Sequence, residues 1–98
     1  MGGGGNGMTG RSGKAGTDSK VDAEVEFEEA PSGGVEIFIV PAAPEEGSTD
    51  GEAIDAAARE LLADMEIDSC KVTVHDHGAP GWVARARLET AIKRSGVR

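Results

Sequence analysis

The sequence predicts an α+β fold: a two-layer sandwich in the order strand-strand-helix-strand-helix, preceded by a flexible Gly-rich tail. Three observations carry this expectation. Residues 21–28 and 35–40 alternate apolar and other side chains, the period of a strand with one buried face. Residues 54–65 and 84–92 repeat apolar side chains at helical spacing. Residues 1–20 hold eight glycines and almost no large apolar side chain beyond Met1 and Met8. Ordering such a segment costs backbone entropy and buries nothing in return. The reading is therefore a flexible tail over 1–20 and one small folded domain over 21–98.

In the first strand Val21, Ala23, Val25 and Phe27 face one way, and Asp22, Glu24, Glu26 and Glu28 face the other. Pro31 ends it, because proline cannot donate to a ladder. Ser32-Gly33-Gly34 supplies the freedom for a reversal, so a hairpin is expected with its tip at Ser32. The second strand would bury Val35, Ile37 and Ile39. Its other face carries Phe38 and Val40 and is more apolar than that of the first strand, which suits a more central place or cover by a loop or partner. Residues 41–50 have linker composition. Thr49 or Asp50 is a suitable N-cap for a helix whose stripe is Ile54, Ala57, Ala58, Leu61, Leu62 and Met65, ending near Glu66. Cys70, Val72 and Val74 alternate with Lys71, Thr73 and His75 as a third strand, broken after His75. A last helix from Trp82 to Ser95 buries Ala84, Leu88, Ala91 and Ile92. Helices of this kind cover one face of a sheet.

Charge bounds the partners. The segment 21–98 holds seventeen acids and seven bases, a net charge near −10. That disfavours nucleic acid and anionic lipid and suits a partner with a basic docking surface. No apolar run approaches a membrane span. A lone cysteine and no secretory signal point to the cytoplasm.

Few residues suggest chemistry. His75-Asp76-His77 has a spacing that can bring two imidazoles together, but a metal site needs three or four ligands; it reads as a polar turn, and no metal is expected. Cys70 sits in an apolar alternation and reads as a buried structural thiol. Asp68-Ser69-Cys70 leads into a strand rather than opening a helix. Arg85, Arg87, Lys93 and Arg94 form a local basic patch, read either as a solvated face pairing with the acidic first strand or as a contact for phosphate. No catalytic constellation emerges, so the chain is not expected to be an enzyme. Ser32, sterically open beside its glycines, is an ordinary turn serine on physics alone, yet within reach of a modifying enzyme.

The run from Pro31 to Pro41, and Val72-Thr73-Val74-His75-Asp76-His77-Gly78-Ala79 followed by Arg85-Ala86-Arg87-Leu88-Glu89-Thr90-Ala91, resemble the citrate lyase acyl carrier protein (gamma subunit) family over roughly residues 22–96. The related acyl carrier subunit of malonate decarboxylase is the second choice, and a small binding or regulatory module without a prosthetic group is the alternative. The resemblance implies a non-catalytic carrier whose Ser32 bears phosphoribosyl-dephospho-CoA through a phosphodiester. The prosthetic thiol would hold the acetyl or citryl thioester. The implied partners are the citrate lyase alpha (acyl transferase) and beta (lyase) subunits and the prosthetic-group transferase.

Overall fold

The computed structural model describes residues 11–97. Its elements are β1 (Ser12–Gly16), β2 (Asp22–Glu29), β3 (Val35–Val40), α1 (Gly51–Asp64), β4 (Cys70–His77) and α2 (Gly81–Ser95), with one 3-10 turn at Pro44–Glu46. The α+β sandwich is as expected, with one strand more. β1 lies inside the stretch assigned to a flexible tail, and the described part of that stretch is ordered against the sheet; residues 1–10 lie outside the described residues. Its glycines explain the difference. A Cβ on Gly13 would stand 2.1 Å from the Ala91 carbonyl oxygen and 2.8 Å from the Ser95 nitrogen. The small side chains of β1 are what let α2 lie directly on the strand, with Ala15 buried beneath it.

The strand order is β1-β2-β4-β3, with β1–β2 and β2–β4 antiparallel and β3–β4 parallel. This corrects the expected hairpin: β2 and β3 do not pair, because β4 lies between them. The β3–α1–β4 segment is a parallel crossover, the connection that parallel neighbours require. It also corrects the place of β3, which is an edge strand. Val35, Ile37 and Ile39 are only half-buried, and Phe38 and Val40 are exposed on the open face.

Register puts the apolar residues on one face. Phe27 and Ile37 flank Val72, and Val25 and Ile39 flank Val74. Ile54, Leu61 and Leu62 of α1 and Leu88, Ala91 and Ile92 of α2 complete the core. Asp50 caps α1, its carboxylate accepting from the Ala53 N–H at 3.1 Å. Arg85 of α2 ties the helices together through Glu60 at 2.6 Å and Asp64 at 3.3 Å. The opposite sheet face presents Glu24, Glu26, Glu28, Glu36 and Lys71 to solvent.

β4 runs to His77, two residues past its expected end, and β2 starts at Asp22 rather than Val21. Asp22 itself departs from the parity rule. It is only 8% exposed, not on the wet face, and the reason lies in its partner on α2, described next.

Candidate functional site

Two exposed serines sit on turns at opposite ends of β2, whose eight residues span about 27 Å at the usual strand rise. The bend 31–34 follows β2 and carries Ser32, which is exposed as the sequence suggests. Gly33 and Gly34 have φ of 107° and 82°, and nothing lies within 4 Å of a Cβ built on either. Glycine is needed here for backbone conformation and not for space. The bend crosses the start of β4 and is anchored by Ser69. The Ala30 N–H donates to the Ser69 carbonyl at 3.2 Å, and the Cys70 N–H to the Gly34 carbonyl at 3.1 Å. The Gly34 N–H donates to Ser69 Oγ at 3.0 Å. The adjoining cleft is acidic, with Glu29, Glu66 and Asp68 among its walls.

The turn 17–21, before β2, carries Ser19, which the sequence reading missed. Thr17 Oγ1 donates to Asp22 Oδ2 at 2.6 Å, and the Asp22 N–H donates to the Ser19 carbonyl at 3.1 Å. Arg87 grips the same carboxylate as a fork: Nε to Oδ1 at 2.8 Å and Nη2 to Oδ2 at 3.0 Å. Burial pushes the Asp22 pKa up, but the bonds from Arg87, Thr17 and the Ala23 N–H outweigh it and hold the carboxyl down at about 2. So Arg87 does pair with the acidic first strand expected from the sequence, now β2. The rest of the patch pairs elsewhere: Arg85 with α1, Lys93 with Glu89 at 3.3 Å, and Arg94 with the Lys14 carbonyl at 3.0 Å.

Beside Ser19 lies an open groove of ≈ 450 Å³, walled by Lys20, Val21, Trp82, Ala86 and Arg87 among others. Trp82 is 72% exposed and Val21 65%. Trp82 falls off the buried stripe of Ala84, Leu88, Ala91 and Ile92, and that offset was the sequence signal for this surface.

The remaining candidates are structural. Alternation along β4 turns Asp76 away from His75 and His77. Asp76 is buried, with Oδ1 accepting from the Ala79 N–H at 2.8 Å and fastening the turn before α2. Its Oδ2 has no partner among the described residues. His77 lies between two carboxylates, Nδ1 2.9 Å from Glu46 and Nε2 3.2 Å from Glu24. Burial lowers its pKa, but the two acids raise it further, above the usual imidazole value. Cys70 is buried, and desolvation pushes its thiol up to about 11, far from a reactive thiolate. Among the described residues no helix is long and apolar enough to cross a membrane.

Similarity to known proteins gives these turns a setting. The chain is 44% identical to the citrate lyase acyl carrier protein of Haemophilus influenzae over 45 residues, 46% of this chain and 47% of that protein. It is 40% identical to the citrate lyase acyl carrier protein of Escherichia fergusonii over 45 residues, 46% of each. The matched segment thus spans about half the length of these curated relatives. No solved structure gives a significant match. The family profile described as ACP, malonate decarboxylase delta subunit (MdcD), matches residues 11–95, which takes in β1 and both serine turns. With nearly the whole described chain inside that match, the protein belongs to this acyl carrier family.

Proposed function

We propose that this chain is the acyl carrier of a citrate lyase complex, with a turn serine bearing phosphoribosyl-dephospho-CoA. That group supplies a thiol for the acetyl or citryl thioester. The chain supplies a hydroxyl held clear of the globule on an anchored turn, and a small acidic body that partner subunits can pass between them. Tethering raises the effective concentration of the acyl group at each partner site. The chain itself performs no bond-breaking step in this reading. The alpha subunit (acyl transferase) and the beta subunit (lyase) act on what it carries, and a prosthetic-group transferase loads it. The single observation behind the reading is the family match across 11–95 together with exposed turn serines.

Ser32 is the attachment residue that the resemblance suggests, and its exposure and glycine-rich bend fit. A second reading, attachment at Ser19, is favoured by the surroundings. A phosphodiester adds negative charge, which the acids beside the bend at 31–34 repel. The groove beside Ser19 has Lys20 and Arg87 against one acid, Asp22, and an apolar wall along which an arm can lie. Co-expression with the transferase and intact-mass measurement decide the matter. The wild type should gain the mass of the prosthetic group, and one of Ser19→Ala and Ser32→Ala should abolish the gain. An unmodified wild type under these conditions sinks the carrier assignment. The family description makes a malonate decarboxylase complex the second host; the subunits that co-purify with the chain separate the two.

A further inference from the structure

We propose that the groove between the turn 17–21 and the start of α2 is a binding site for a nucleoside phosphate. Trp82 offers the stacking surface for the base, and Lys20 meets the phosphate. The inference stands on the unmodified chain. Its tethered form, in which the arm's own nucleotide end rests here, relies on the carrier reading above.

The groove combines features that folding alone does not require. Trp82 is the chain's one tryptophan, and it stands 72% exposed, outside the core that α2 builds with its opposite side. Val21 is β-branched and held at φ 58°, a left-handed conformation that such residues rarely adopt. It nevertheless shows 65% of its surface beside the indole. The turn is held in that shape by the Val21 N–H on the His77 carbonyl at 2.8 Å and by the Asp22–Arg87 fork. The volume, ≈ 450 Å³, is in the range of small-molecule sites.

Charge selects the ligand class. On a chain with net charge −8, the groove has two bases and one acid along its walls. The cleft at the other end of β2 has three acids and no base. α2 also opens here without a side-chain cap and without an acid in its first turn, so its positive end adds to Lys20. Arg87 spends Nε and Nη2 on Asp22, so Lys20, whose charge also acts on the Glu46 carboxylate, is the cation left to meet a phosphate. An exposed aromatic face, an apolar floor and a cation at one end fit a planar ring joined to phosphate. An acyl chain alone would leave the charge unused and need a deeper apolar channel.

The test uses the unmodified full chain and ADP. Because Trp82 is the only tryptophan, its fluorescence reports on the groove directly. ADP should quench it saturably, and the backbone amide resonances of residues 19–22 and 82–87 should shift together. Lys20→Ala should weaken ADP by roughly fivefold and leave adenosine unaffected, because it removes the cation that meets the phosphate and keeps the stacking surface. Trp82→Leu, read by the amide shifts, should weaken both by about tenfold. Thermal melts confirm that each variant folds, which is expected of exposed positions. Three results overturn the proposal: no saturable response to ADP at millimolar concentration, binding indifferent to both substitutions, or shifts that map elsewhere. Loss of partner co-purification in Trp82→Leu with no ADP binding by the wild type would also overturn it and make the groove a protein-docking surface. None of these results changes the mass gained on loading, so this proposal and the carrier reading fail separately.

Discussion

The two ends of β2 present a serine by opposite means. At 31–34 the chain is held by its own backbone: two glycines take positive φ, and main-chain and hydroxyl bonds to Ser69 fix the bend across β4. At 17–21 the turn is held by side chains, with Thr17, Asp22 and Arg87 closing a network in which the fork joins residues 65 positions apart. The first device fixes geometry and leaves the surface to acids. The second places cations and an indole around the hydroxyl, but it depends on ionisation. A hydroxyl can be made accessible by either route; only the second also prepares its surroundings for an anion.

The contrast can be broken from one side at a time. The largest effect should come from Gly13→Val. Its side chain would collide with the α2 backbone at Ala91, which cannot move aside cheaply. A loss of about 3 kcal/mol, or about 15 °C in Tm, is expected. Hydrogen exchange should accelerate through 12–22 and much less at 30–34; uniform acceleration would show that the two ends are not independent.

Asp22→Asn should cost about 2 kcal/mol, less than a fully buried pair because Arg87 is partly exposed. Acid should mimic it. The Asp22 carboxyl is held below its unfolded value, so its contribution is complete above the ordinary carboxylate pKa. It is lost as pH falls through about 2. The Ala23 amide, which donates to that carboxylate at 2.7 Å, should therefore titrate with a midpoint near that value. A midpoint at the ordinary carboxylate value, about 4, would mean that the fork contributes little.

The smallest effect should come from Ser69→Ala, which removes one bond to the bend and should cost about 1 kcal/mol or less. It should loosen 31–34 without altering the turn at 17–21. On the carrier reading proposed above, loading that falls in this variant and not in Asp22→Asn would assign attachment to Ser32. The reverse pattern assigns it to Ser19.

Much of this was legible in the sequence where the signal is local. The stripes of α1 and α2 read directly because each buried residue lies within four positions of the next, and the Asp50 cap followed from its place before Ile54. The alternation of β2, β3 and β4 was equally plain, as was the openness of Ser32. What failed was long-range. β1 has no apolar rhythm, since at Gly13 the α2 backbone comes so close that no side chain fits. The pairing of neighbours in sequence suggested a hairpin, but β4 takes the middle place, with Cys70 set beside Val35 across the whole of α1. Asp22 obeys parity by sequence and violates it in space, because Arg87 draws it inward. The groove at Trp82 was missed for the same reason: its walls come from a turn and a helix far apart along the chain.

The position of β4 also shapes how the chain must be made. Synthesis delivers β2 and β3 long before the strand that joins them, so β3 has no ladder partner, and β2 none on the side away from β1, until β4 has emerged. Until then their ladder groups stay open to other molecules in the cell. A product cut short before residue 70 would be left in that condition permanently, which makes the fold intolerant of C-terminal loss well before α2 is counted.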